Sequence, residues 1–153
     1  MNDLYVIRHG HFDTTSQEAT PLGKKQMKGV AARLHKANLD DIILISSSQK
    51  RAYSSAKSLA TYLDRPHSDI EQWDELQEGQ YKHNHKDIEN AYQRLTQAQH
   101  NKPIAIVTHR NTGVSLINRV IIGRKYTRNI QRPFINMGTA IQLCSETRNV
   151  KFF

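Results

Sequence analysis

The sequence predicts an α/β fold, a three-layer α/β/α sandwich with a mostly parallel central sheet. Three observations predict it. Short apolar runs alternate with longer segments whose apolar residues recur at helical spacing. Several of those runs are apolar throughout instead of at every second position, the pattern of strands covered on both faces. The chain has 153 residues with 37% hydrophobic and 24% charged side chains, a balance that fits one globular domain spanning 1–153. A domain of that length buries roughly two thirds of its unfolded surface, so it needs no disulfide or structural metal to hold a core.

The elements follow in order. Leu4-Tyr5-Val6-Ile7 is rich in β-formers and reads as the first strand, ending in Arg8-His9-Gly10 and a polar stretch from His11 to Ala19. Thr20-Pro21 has the form of a helix start, threonine as N-cap and proline at the first helical position. Met27, Val30, Ala31 and Leu34 then recur at helical spacing within 22–37. Asp41 to Ser46 is an apolar strand with polar ends, and Ser47-Ser48 open a second helix to about Tyr62 with Ala52, Ala56, Leu59, Ala60 and Leu63 on one stripe. Ile70 to Trp73 reads as a short strand, Glu75 to His85 as a polar loop, and Ile88 to Ala98 as a helix with Ile88, Tyr92 and Leu95 inward. Pro103 to Thr108 is another buried strand, ending in His109. Asn111 to Ile122 forms a helix burying Val114, Leu116, Ile117 and Val120, and strands at about 139–144 and 150–153 complete the chain. Right-handed crossovers would put helices on both faces of the sheet.

Bulk features narrow the partners. Cys144 is the lone cysteine, so no intramolecular disulfide is possible and nothing argues for export. Met1-Asn2-Asp3-Leu4 has no basic n-region, and no apolar run approaches the ~20 residues of a membrane helix. A cytoplasmic protein without a membrane partner is expected. The net charge of +8 favours anionic partners. Arg119, Arg124, Lys125, Arg128 and Arg132 form a basic stretch, but only Tyr126 interleaves an aromatic ring, so no stacking platform for nucleic acid is expected. Steering of anionic substrates is the more modest role for the charge.

In open α/β sheets, ligands bind beyond the carboxyl ends of the strands. Arg8-His9-Gly10, the segment from Ser46 to Arg51, and Thr108-His109 would therefore meet at one edge of the sheet. Metal-free phosphoryl transfer needs a nucleophile, cationic donors for the equatorial oxygens and an acid for the leaving oxygen. His9 suits the nucleophile if a hydrogen bond at its other nitrogen fixes the tautomer. Arg8 and Arg51 offer guanidinium forks for phosphate oxygens, and His109 adds a donor from the opposite side. Burying Arg8 and His9 without an anionic partner would be costly. Gly10 would let the chain turn sharply and approach the anion. His83, His85 and Asp87 could mimic a metal-ligand cluster, but an alternating pair in a polar loop points to solvent, and neither a metal nor a cofactor is expected.

Arg8-His9-Gly10 after a strand resembles the signature of the histidine phosphatase superfamily, which includes the cofactor-dependent phosphoglycerate mutases. Four further segments match in order. Thr20-Pro21-Leu22-Gly23-Lys24-Lys25-Gln26 resembles the family's Leu-Thr-x-x-Gly-x-x-Gln, with Ala19 where leucine is usual. Ser46 and Ser48 with Arg51-Ala52 and Ala56 resemble the segment bearing the second phosphate-binding arginine, Glu75-Leu76-Gln77-Glu78-Gly79 the acidic motif, and Ile106-Val107-Thr108-His109 the strand delivering the second histidine. Asn136 to Thr139 is similar to the family's late turn. The resemblance implies a phosphoglycerate mutase-like fold and a metal-independent phosphatase that forms a phosphohistidine on His9. Arg8, Arg51 and His109 would bind the phosphoryl group. Glu75 would be the general acid and base, preferred to Glu78 on its spacing to Gly79.

The departures concern the substrate. His11 stands where Glu or Gln is usual, the expected asparagine is missing, with Thr14 or Thr15 as hydroxyl substitutes, Gln80-Tyr81-Lys82 replaces a tryptophan-containing continuation, and Arg110 replaces a small residue. A phosphorylated small molecule is the expected substrate, with a phosphoprotein as the alternative. Only about thirty residues separate Glu75 from the strand at Ile104, too few for a mutase insertion. A protein phosphohistidine phosphatase would need no acid, and a phospho-ligand binding module would leave His9 and Glu75 idle.

Overall fold

The computed structural model describes residues 2–79, 85–97, 101–124, 136–147 and 149–153. Its strands are β1 (Leu4–Arg8), β2 (Ile43–Ser47), β3 (Ile70–Trp73), β4 (Ile104–Thr108), β5 (Ala140–Leu143) and β6 (Val150–Phe152). Its α-helices are α1 (Pro21–Lys36), α2 (Lys50–Tyr62), α3 (His85–Gln97) and α4 (Arg110–Arg124). The strands form one sheet in the order β3-β2-β4-β1-β5-β6. The β3-β2, β2-β4 and β4-β1 pairs are parallel, and β5 and β6 join antiparallel beyond β1. This is the α/β/α sandwich with a mostly parallel sheet that the sequence predicts.

The apolar strands are explained by what covers them. Side chains alternate across a strand, so Leu4 and Val6 of β1 join Ile104, Ile106, Leu95, Leu116 and Ile117 in a core beneath α3 and α4. Tyr5 and Ile7 face the other way, with Val107, Met27, Val30, Leu34 and Leu59, beneath α1 and α2. Each face needs its own apolar set, which is why alternation vanishes from the sequence. The N-cap of α1 is as read: the Thr20 side chain accepts from the Gly23 N–H, with Pro21 at the first position. The four residues expected inward on α1 are all buried.

Helix α2 begins later than the sequence suggests. Ser46 ends the expected strand paired with Gln72, but Ser47 continues β2 by pairing with Trp73 of β3, and Gln49 caps the helix without a side-chain bond. Ladder pairing outweighs the cap preference of the serines there. Within the expected polar loop, Asp74–Leu76 forms a 3-10 turn that buries Leu76 completely. His83, Ala98, Lys125, Tyr126, Arg128 and Arg132 lie outside the described residues, as does Gln80-Tyr81-Lys82. No described helix is long and apolar enough to cross a membrane. The placement of β2, β4 and β1 side by side matters most for function, because it gathers three strand ends at one rim.

Candidate active site

His9 follows β1, Ser47 ends β2 and His109 follows β4, so the three carboxyl ends deliver Arg8-His9, the loop leading to Arg51, and His109 to one place. His9 is 3% exposed and His109 is fully buried. Their rings meet edge to face with centroids 5.2 Å apart. The His9 Nδ1 lies 2.9 Å from the Gly10 carbonyl oxygen. A carbonyl only accepts, so Nδ1 carries the proton and Nε2 keeps its lone pair. Burial holds the His9 pKa below its ordinary 6.5, and Arg51 and Arg8 add to the fall against the Gly10 hydrogen bond and Glu78. The ring is therefore a neutral base with a free nitrogen.

His109 is depressed further, to about 2, by burial first and then by His9, Arg51 and Arg8. Its Nε2 is 3.1 Å from Ser47 Oγ. Its Nδ1 is buried without a hydrogen bond and lies 4.0 Å from Glu78 Oε2. Burial also lowers the Arg8 pKa, followed by Arg110 at the start of α4, while Glu78 opposes both. A cluster of cations and polar nitrogens drawn out of water this way is a site for an anion.

Arg51 sits on the first turn of α2 with Nη2 donating to Glu78 Oε2 at 3.0 Å and Nη1 to Gln17 Oε1 at 3.3 Å. Its guanidinium also lies over the Phe12 ring, 5.4 Å from the centroid, and Phe12 packs edge to face on His9 at 5.2 Å. The sequence reading named neither Gln17 nor Phe12. Gln17 has φ of +60°, a left-handed backbone that a glutamine adopts at a cost. Its position comes from an Asp13 turn whose carboxylate accepts the Thr15 and Ser16 N–H groups and whose carbonyl accepts the Gln17 N–H. The signal for it was present in Asp13-Thr14-Thr15-Ser16, a run that favours side-chain-closed turns.

The two carboxylates of the acidic segment have different partners. Both oxygens of Glu75 accept from Arg94 Nη1 at 3.1 Å, and Arg94 in turn lies over Trp73 at 3.9 Å. Glu75 is thus held against α3. Among the described residues, Glu78 is the carboxylate that bonds Arg51, and it comes within 4.0 Å of His109 Nδ1. The 3-10 turn ends at Leu76 and Gln77 beyond it is extended, so Glu75 lies within the turn and Glu78 past its end, in different surroundings. Spacing to Gly79, the basis for preferring Glu75, assumed an open loop.

The segment before Glu78 is fixed from three elements. Thr108 Oγ1 donates to the Leu76 carbonyl at 3.0 Å, and Thr112 Oγ1 to the Gln77 carbonyl at 3.4 Å. The Gln49 side chain accepts from the Glu78 N–H at 3.1 Å and donates to the Glu78 carbonyl at 3.2 Å.

Thr15, expected at the phosphate, is exposed in the Asp13 turn, and the contact described for it is its backbone N–H on Asp13. His11 is exposed as well, with Nδ1 2.9 Å from Thr20 Oγ1 and its N–H donating to Gln26. Gly10 does not carry a left-handed φ. Its lack of a side chain is instead required by packing, because a Cβ there would lie 2.8 Å from the Gly23 carbonyl of α1. Two α2 serines inside the buried stripe pin the loop at both ends: Ser55 Oγ accepts from the Gly10 N–H at 3.0 Å, and Ser54 Oγ from the Ala19 N–H at 2.9 Å. Polar residues on an otherwise apolar helix face were the available signal for them. The late turn is also seated here, with the Gly138 N–H directed at the Arg8 and His9 carbonyls at 3.2 and 3.3 Å. Among the described residues, no three of His, Cys, Asp and Glu are grouped so as to hold a metal ion.

Comparison with known proteins bears on the fold and the family. No curated protein matches the chain in sequence. Among solved structures, the protein histidine phosphatase SixA complexed with tungstate superposes with a TM-score of 0.71 at 17% identity, covering 99% of this chain and 94% of that one. The alpha-ribazole phosphatase from Shigella flexneri gives 0.70 at 17% identity, covering 99% and 94%. A mycobacterial glucosyl-3-phosphoglycerate phosphatase gives 0.66 at 14% identity, covering 100% and 96%. Those likenesses concern the fold. The family model for the histidine phosphatase superfamily, branch 1, matches residues 4–121, and the chain belongs to that superfamily.

Proposed function

We propose that the protein is a metal-independent phosphatase that hydrolyses phosphomonoesters through a phosphohistidine on His9. One observation carries the reading: the Gly10 carbonyl holds the His9 proton on Nδ1, which leaves the Nε2 lone pair in a pocket shared with Arg8, Arg51 and His109. Membership of the superfamily and a fold shared with three proteins named as phosphatases support it.

Nε2 attacks phosphorus and the bond from phosphorus to the ester oxygen breaks, with its electron pair going to that oxygen. Glu78 supplies the proton that makes the leaving group an alcohol. Arg8, Arg51 and His109 hold the equatorial oxygens as their charge redistributes. A water then attacks the phosphohistidine, Glu78 takes its proton, and the N–P pair returns to Nε2.

A carboxylate placed at the phosphoryl site favours phosphomonoesters over phosphohistidine, whose imidazole leaves without one. A phosphorylated small molecule is the substrate class this supports. The test is hydrolysis of p-nitrophenyl phosphate in EDTA by wild type and His9→Ala, with acid-labile, base-stable phosphoprotein trapped in parallel. Turnover and trapped phosphate by wild type alone are expected. Equal turnover by the two proteins would remove His9 as nucleophile, and failure of both on a panel of phosphomonoesters would favour a binding module.

A further inference from the structure

We infer that Glu78 is, besides an acid, an internal counter-anion that competes with the phosphoryl group for Arg51 and whose return to Arg51 expels product phosphate. The inference rests on the phosphatase reading above, since it concerns the same pocket.

Both terminal nitrogens of the Arg51 fork are engaged by protein acceptors, Nη2 on Glu78 at 3.0 Å and Nη1 on Gln17 at 3.3 Å. A phosphoryl group reaching His9 from this side needs the same fork, and an Nη2 bond aimed at a carboxylate must be redirected to serve a phosphate oxygen. Glu78 is also the anion whose charge bears on both Arg8 and His9. Its side chain is 26% exposed, while the Glu78 backbone is clamped by Gln49. The carboxylate therefore has a solvent-side path to swing along and a fixed pivot to return from. On the other side of the pocket, the buried His109 Nδ1 has no hydrogen bond and stands 4.0 Å from Glu78 Oε2, beyond bonding distance. Glu78 covers Arg51 but leaves that nitrogen unserved, which a tetrahedral oxyanion spanning both could satisfy.

The cycle gains a directional step. The carboxyl is protonated when water has been split, and its proton passes to solvent as phosphate departs. The carboxylate so formed repels the phosphate and reclaims Nη2. A residue that merely shaped the pocket would weaken oxyanion binding when altered. A competing anion would strengthen it.

The experiment is calorimetric titration of inorganic phosphate and of tungstate into wild type, Glu78→Gln and Glu78→Ala, with p-nitrophenyl phosphate turnover and a thermal melt on each. Removing one negative charge a few ångströms from the bound anion is expected to tighten both oxyanions roughly tenfold at low salt while turnover falls. Glu78→Ala supplies the same readout if the glutamine variant fails to fold. Unchanged or weaker oxyanion binding in the variants, beside a wild type that binds and turns over, would overturn the inference and leave the phosphatase reading standing. A wild type that neither binds an oxyanion nor hydrolyses any phosphomonoester would overturn both.

Discussion

Thr108 Oγ1 donates to the Leu76 carbonyl across a separation of 3.0 Å, tying the last residue of β4 to the end of the 3-10 turn, two residues before Glu78. The residue before the second histidine thus anchors the chain that leads to the carboxylate. Thr108→Val keeps the shape and removes the donor, leaving a buried carbonyl unpaired. The expected loss is about 1–2 kcal/mol in urea denaturation, accompanied by a fall in kcat that KM for substrate does not share. A stability loss with kcat intact would show that the bond serves the fold alone.

The two carboxylates separate by mutation. Glu75→Gln disturbs a bond to Arg94 on the flank of α3 and is expected to leave kcat within about threefold. Glu78→Gln removes the proton donor and is expected to lower kcat by roughly a hundredfold or more on a poor leaving group. The measurement is steady-state kinetics on an alkyl phosphate. The reverse ranking would return the acid role to Glu75.

Acid should destabilise the protein through its two buried imidazoles. Both have folded-state pKa values below the ordinary 6.5, so the unfolded chain takes up the protons first as pH falls. Stability is complete above about pH 7 and is lost as pH drops below 6.5, for His109 towards about 2. His109 alone should remove about 2 kcal/mol between pH 7.5 and pH 5. Denaturation midpoints across this range should show a shallower slope for His109→Asn, and identical slopes would remove the imidazole as the cause.

Gln17 accepts from the Arg51 nitrogen that Glu78 does not engage. Gln17→Ala should raise KM about fivefold with little change in kcat, the cost of one bond to a charged donor near the surface. A matching rise in the dissociation constant for inorganic phosphate would locate the effect in binding, whereas a change in kcat alone would contradict it.

Gly138 has φ of +68°, and a Cβ there would press on the Gln26 side chain. Its N–H is directed at the Arg8 and His9 carbonyls, so displacement would reach the nucleophile. Gly138→Ala should cost about 2 kcal/mol or more in stability, read by thermal melt. A neutral effect would mean that Gln26 yields freely.

Much of this structure was legible in the sequence because burial writes itself into periodicity. The uninterrupted apolar runs of β1, β2 and β4, and the stripe through Met27, Val30, Ala31 and Leu34, correspond to the observed cores. His9, Arg8, Arg51 and His109 were legible for a different reason: the ends of parallel strands converge, so the topology places what the motifs name. The different surroundings of Glu75 and Glu78 were not. They depend on a single 3-10 turn and on hydroxyls that arrive from β4 and α4, and neither leaves a local pattern. The exposure of Thr15 was not legible either, since it comes from a turn that Asp13 closes on its N–H. The helix start at Ser47-Ser48 failed because pairing with Trp73 of β3 holds Ser47 in the sheet.

The hydrogen bond from His9 to the carbonyl of Gly10 joins two adjacent residues. In a triad of the serine-protease kind, the imidazole is oriented by a carboxylate from elsewhere in the chain, and one substitution can strip that support away. Here the orienting group is a main-chain oxygen, which no substitution at another position can delete. The poise of the nucleophile is inherited with the backbone itself, so sequence drift among the surrounding side chains can reshape what the pocket accepts without unsetting the atom that attacks.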